Sequence, residues 1–174
     1  MNSYQIDQIV RKFAVNISHS FNEFDLKESY SEKKDYEGND IFQFIDDLGD
    51  KARKINLNIL KNNVAPQDLD IFIEQAEFPM LLFSKKEGEK IEPLLIRKNK
   101  KGRSIVHDFN SQIEIFWEDA RLDKNNLVVY ENHPYQELNG QIVFVTCFPM
   151  EYLEDDYYNK GKTPTPAQRM FRIL

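Results

Sequence analysis

The sequence predicts an α+β domain, with N-terminal helices packed on a C-terminal antiparallel sheet. Three observations carry that expectation. Apolar residues in the first third recur at spacings of three and four, the signature of a helix with one buried stripe. From about residue 78 onward the pattern is that of β-strands, with apolar runs of strand length. The strand-like segments are separated by short connectors carrying Gly, Asn, Asp and Lys, and connectors of that length join antiparallel neighbours.

Ile6, Ile9, Val10, Phe13, Ile17, Phe21 and Phe24 form one stripe and predict a first helix along its whole length, with Ser3 as N-cap. Residues 27–40 are charged and contain Gly38-Asn39, which marks a loop. A second helix is expected over 40–54, capped by Asp40, with Ile41, Phe44, Ile45 and Leu48 on one face. Ile55, Leu57 and Ile59 then alternate with Lys54, Asn56 and Asn58, as in a strand with one wet face. Pro66 suits the first turn of a short helix over 66–76, whose apolar side is Leu69, Ile71, Phe72 and Ile73. Strands are expected at 78–84, 91–97, 103–108, 112–117, 127–131 and 141–148. The turns between them fall at Lys86-Glu87-Gly88, Asn99-Lys100-Lys101-Gly102, Asp123-Lys124-Asn125-Asn126 and Asn139-Gly140.

These elements make residues 1–150 one α+β domain. Residues 151–174 differ in composition. An acidic stretch with Glu151, Glu154, Asp155 and Asp156 leads into a linker, Lys160 to Pro166. Ala167 to Leu174 then mixes Arg169 and Arg172 with apolar residues, like the start of a juxtamembrane helix. The expectation is a soluble piece of a longer protein, cut just before a membrane segment.

Composition narrows the function classes. With 41% hydrophobic residues and 13 Phe, the chain can fill a core, which argues against wholesale disorder. The 29 acidic against 23 basic residues argue against general nucleic-acid binding, which needs a basic face. One Cys allows neither an internal disulfide nor a Cys-rich zinc site, and favours a reducing compartment. Met1 to Val10 lacks the pattern of a signal peptide.

Few residues suggest chemistry. Cys147 lies in an expected buried strand and reads as a small apolar core residue. His107 and Asp108 are neighbours on a strand, so they point to opposite faces and form no dyad. His19, beside Ser18 and Ser20 on the expected first helix, does not face either serine. His133 precedes Pro134 and has no visible partner in the sequence. Asp46, Asp47 and Asp50 read as a solvated helix face rather than a cation site. Gly161-Lys162-Thr163 imitates the end of a phosphate loop, but Asp156 stands where its earlier glycine belongs, and Pro164 interrupts the helix that must follow. No metal site and no cofactor are expected. Arg97, Lys98, Lys100, Lys101 and Arg103 flank one turn; they read as a soluble, edge-protected hairpin or as a contact for an acidic partner or phospholipid headgroup. Trp117 reads as a core aromatic or, with Asp108, as part of a groove between the first helix and the sheet.

The order of segments is familiar. A loop Gly38 precedes the helix "DIFQFIDDLGDKARKI"; "NLNIL", "LDIFIEQ" and "FPMLLF" follow; then come "PLLI", "KNKKGR", "SIVHDF" and "YQELNGQIVFVTCFP". From about Gly38 to Pro149 this resembles the papain-like, double-glycine peptidase domain at the N-terminus of bacteriocin and type I secretion ABC exporters. The resemblance implies a papain-like fold, helices packed on an antiparallel sheet. The family's catalytic Cys opens its first helix, but Ser3 to Val10 contain no Cys. Its His heads the strand here occupied by Glu92 or Pro93 before Leu94, Leu95 and Ile96. Only its Asp has a counterpart, Asp108 in "VHDF". The segment Gln112 to Glu137 is longer than in the family and has no assigned role. The resemblance therefore implies a degenerate copy without nucleophile or base. Its partners would be the membrane and nucleotide-binding domains of an exporter and a peptide or protein substrate, at the cytoplasmic face of the membrane. Two other classes remain open: a free-standing α+β interaction or regulatory domain, and an enzyme using His107, His133 or a carboxylate pair.

Overall fold

The computed structural model describes residues 1–27, 34–36, 40–85, 90–120 and 124–151. The expected turn at Lys86-Glu87-Gly88, the Gly38-Asn39 loop and the tail from Tyr152 lie outside the described residues.

Helix α1 spans Ser3–Asn16, and its cap is Asn2 rather than Ser3. The Asn2 side chain accepts from Gln5 N at 3.1 Å and the Gln5 side chain accepts from Asn2 N at 2.9 Å, a reciprocal capping box with Gln in the third position. The helix is shorter than its apolar stripe. Ser18 turns the chain at φ 55°, a conformation that ends a right-handed helix. Phe21 and Phe24 therefore leave the stripe. A short helix α2, Glu23–Leu26, buries Leu26 and leaves Phe24 76% exposed.

Helix α3 spans Ile41–Arg53, with Asp40 at the cap position but making no side-chain cap bond. Lys51 and Arg53 in its last turn suit the negative end of the helix dipole. A tight turn with Asn56 at φ 62° follows. Ile55 belongs to this turn, so strand β1 is Leu57–Val64 and starts later than the alternation alone indicates. Pro66–Asp68 is a single 3-10 turn with Pro at its start, and it leads into helix α4, Leu69–Gln75. Strands β2 (Met80–Lys85), β3 (Ile91–Lys98), β4 (Ser104–Asp108), β5 (Glu114–Phe116) and β6 (Ile142–Pro149) follow.

All pairings are antiparallel, in one six-stranded sheet of order β1-β6-β2-β3-β4-β5. Strands β2 to β5 form the expected meander. Strand β6 departs from it by inserting between β1 and β2. Residues 127–131 are not a strand. They make two isolated bridges, Ser84 with Leu127 and Val129 with Ile142. The reason lies in the register. β2 and β6 pair directly only over Met80–Leu82, and beyond that point the 127–130 segment fills the fork, with Val128 N donating to Phe83 O and Val143 N donating to Val128 O.

The sheet separates two apolar cores. On one face α1 and α3 bring Ile9, Phe13, Phe44 and Leu48 against Leu81, Phe83, Val145 and Cys147. On the other, α4 and the 3-10 turn Trp117–Asp119 bring Leu69, Ile73 and Trp117 against Leu82, Leu94, Ile96 and Phe144. The result is an α+β architecture with helices on both faces of the sheet. Among the described residues no helix is long and apolar enough to cross a membrane.

Candidate functional site

The position singled out by the sequence is the end of β4. Leu94 of β3 stands opposite Asp108, and Phe109 N donates to Pro93 O at 3.4 Å. The Asp108 carboxylate caps the turn that follows, accepting from Asn110 N at 2.8 Å and from Ser111 N at 3.3 Å. The turn closes on Gln112, at φ 59°, whose Nε2 lies 3.5 Å from Gln8 Oε1 of α1. First helix, β3 and β4 thus meet at this corner of the sheet.

His107 and Asp108 face opposite ways, as the strand period requires. The buried imidazole of His107 turns toward the α1 face. Its Nε2 is 3.1 Å from Gln112 Oε1. Its Nδ1 is 3.3 Å from Glu114 Oε1, outside hydrogen-bond alignment. Glu114 is itself shared: Arg97 holds it at 3.0 Å and Lys12 of α1 lies at 3.9 Å. A carboxylate and an imidazole are therefore adjacent, but a nucleophile is not. The single thiol, Cys147, sits in β6, three strand spacings or about 14 Å away across the sheet. Burial pushes that thiol well above its ordinary range, so it stays protonated and inert. It is a core residue, as expected.

The basic turn is built around Asn99. Its side chain accepts from Lys101 N at 3.0 Å and Arg103 N at 2.9 Å, and Gly102 closes the turn at φ 79° with its N 3.0 Å from Asn99 O. Most of the positive charge is already engaged. Arg97 pairs with Glu114, Arg103 pairs with Glu118 and lies 3.6 Å over the Phe116 ring, and Lys98 donates to Glu74 O. Lys100 and Lys101 remain exposed at the tip, without an ion pair among the described residues.

Trp117 is buried on the α4 face, so the groove expected to hold it together with the first helix does not form: α1 lies on the opposite face. Its Nε1 donates to Asp70 Oδ1 at 2.8 Å, and Lys124 Nζ lies 4.7 Å from its ring. A cleft of about 430 Å³ opens here, lined by Asp70, Arg103, Trp117, Glu118 and Lys124. Its cations face carboxylates, which makes it a mixed-charge cleft rather than an anion site.

The other expected residues are dispersed. His19 lies beyond the end of α1, with Nε2 2.6 Å from Ile55 O. His133, which showed no partner in the sequence, accepts from Tyr135 N at 3.1 Å through Nδ1 and packs against Tyr130 and Tyr135. Asp46 and Asp50 are exposed, while Asp47 accepts from Tyr36 Oη, Gln43 and Lys34. Among the described residues no group of three or more His, Cys, Asp or Glu could hold a metal ion. Sequence reasoning missed Glu114 and Asp70. Glu114 is joined to His107 only by the β4–β5 register, and Asp70 to Trp117 only by the packing of α4. No family model, curated protein or solved structure matches the chain.

Proposed function

We propose that this chain is a non-catalytic, peptidase-like domain of an ABC exporter, which recruits substrate or regulates transport at the cytoplasmic face of the membrane. The observation that supports the reading is the meeting of segments at the end of β4. Gln8 of α1, Pro93 of β3 and the turn that follows Asp108 lie together. In the family that the sequence resembles, these segments carry the nucleophile, the base and the acid. Here the first holds no thiol and the second holds a proline, while Asp108 spends its carboxylate on two backbone N–H groups. Acyl transfer needs a nucleophile and a base within hydrogen-bond reach of each other, and the His107 imidazole at this corner contacts Gln112 and Glu114 rather than a thiol or hydroxyl.

The test has two arms. Double-glycine leader peptides are incubated with the protein and followed by mass spectrometry; no cleavage is expected, and specific cleavage overturns the degenerate reading. The coding sequence downstream of codon 174 is read for six apolar helices and a nucleotide-binding motif. Their presence is the expected result, and an immediate stop codon overturns the exporter reading.

A further inference from the structure

The sheet has two edges that differ in construction. The β5 edge has only three residues, with the positive-φ turn at Gln112 before it and a 3-10 turn directly after it. The β1 edge has eight, Leu57–Val64, with no proline and a single charge at Lys61. Such edges are ordinarily blunted by proline, inward charge, bulges or a covering segment.

The register shows which backbone groups β1 leaves open. Met150 N donates to Asn56 O, and Val143 N points away from β1 to Val128 O. Even-numbered residues of β1 therefore face β6, and the N–H and C=O groups of Ile59, Lys61 and Asn63 point outward. None of these outward groups has a hydrogen-bond partner among the described residues.

We propose that the β1 edge is a docking site for an extended peptide segment of a partner, added antiparallel as a seventh strand. An array of alternating donors and acceptors is satisfied by another extended backbone. Helix α3 decides which kind. It runs directly over β1, with Lys61 Nζ 4.8 Å from the Phe42 ring and an added Cβ on Gly49 falling 4.0 Å from Ile59 Cβ. A second copy paired through β1 would bring its own α3 to about 5 Å from this one, one strand spacing, whereas packed helices need about 8–10 Å. A peptide without a helical layer fits. Peptide residues opposite Lys61 project toward Phe42, which is 38% exposed, and those opposite Leu60 project to the α4 face between Asn58 and Asn62. An apolar residue at each of these places is the side-chain requirement. This inference does not depend on the exporter reading.

The experiment uses a soluble threonine-rich peptide with two adjacent central valines, one for each face, and terminal lysines, and amide hydrogen exchange followed by NMR. In the free protein the amides of Ile59, Lys61 and Asn63 exchange fast, while those of Leu60 and Asn62 are protected. Peptide binding is expected to slow exchange at the first set. An analogue N-methylated at alternate residues is expected not to bind. Lys61→Pro removes one outward N–H at a position where an edge strand tolerates proline; it is expected to weaken binding by about tenfold with the unfolding midpoint retained. Absence of binding, binding without slowed exchange at those amides, or equal binding of the N-methylated analogue overturns the proposal. Concentration-dependent dimers in sedimentation that protect the same amides overturn it in favour of a second copy.

Discussion

The two faces of the sheet are sealed by different means. The α1–α3 face is covered by helices of 14 and 13 residues, each presenting a continuous apolar stripe. Its interior is mostly carbon, with Phe44 set edge-on to Phe83 at 6.1 Å and to Tyr36 at 5.2 Å, and the buried His107 imidazole is a polar exception toward the β4 side. The opposite face has only the seven-residue α4, and irregular chain completes the cover with Trp117, Leu127 and Val129. Polar groups are buried there. Asn62 Nδ2 donates to Thr146 Oγ1 at 3.1 Å, and the two residues are 2% and 0% exposed. Asn62 Oδ1 and Ser84 Oγ are buried without a hydrogen-bond partner among the described residues. A long helix can match most of a sheet face with carbon. Under the short helix and its flanking turns, the strands themselves bury polar side chains that must find partners.

The largest expected effect is on the first face. Phe83→Ala leaves a cavity under α3 and is expected to lower stability by about 3–5 kcal/mol in urea unfolding. A loss below about 1 kcal/mol would show that this face repacks freely and is not the rigid one. On the second face Thr146→Val strands one Asn62 donor, for an expected loss of about 1–3 kcal/mol. The double variant Asn62→Leu with Thr146→Val is expected to recover most of that loss, because neither polar member of the pair then remains to be left alone. If the double variant is as unstable as the sum of the single ones, the contrast between the faces does not rest on polar satisfaction.

The smallest effect lies on the outer side of α3. Burial works to raise the pKa of Asp47, but hydrogen bonds from Tyr36, Gln43 and Lys34 outweigh it and hold the carboxylate below its ordinary value. A carboxylate with a lowered folded pKa stabilises the protein above its unfolded pKa of about 3.9, and that stability is lost as pH falls through the folded value. The stability difference between wild type and Asp47→Asn is therefore expected to be largest near neutral pH and to shrink below about pH 4. A difference that stays constant across this range in pH-dependent urea titrations would remove the ionised carboxylate from the account.

Much of the secondary structure was legible because it is local. The stripe Ile6 to Phe13, the apolar face of Ile41 to Leu48, the proline before α4 and the Asn99–Gly102 turn each carry their cause within a few residues. The misreadings fall where a distant partner decides. Phe21 and Phe24 continue the periodicity of α1, yet the backbone reverses at Ser18. Leu127 to Glu131 have strand composition, yet they lie in a fork where two strands part. The corner at Asp108 was half legible. The sequence showed that His107 and Asp108 diverge, but it did not show that Glu114 returns beside His107 or that Gln112 reaches Gln8.

By itself the sequence determined most of the helices and strands, though not the end of α1 or the irregular 127–131 segment, that the thiol belongs to the core, and that His107 and Asp108 point apart. These follow from periods of 3.6 and 2 and from turn chemistry, which act over a few residues. Tertiary structure alone decided that β6 enters between β1 and β2, that Trp117 turns to α4 rather than α1, and that β1 is an edge strand among the described residues. Each depends on which of several equally apolar faces meets which, and burying apolar area is favourable in any such arrangement. The choice among them is made by shape and by the pairing of buried backbone groups across residues far apart in the chain.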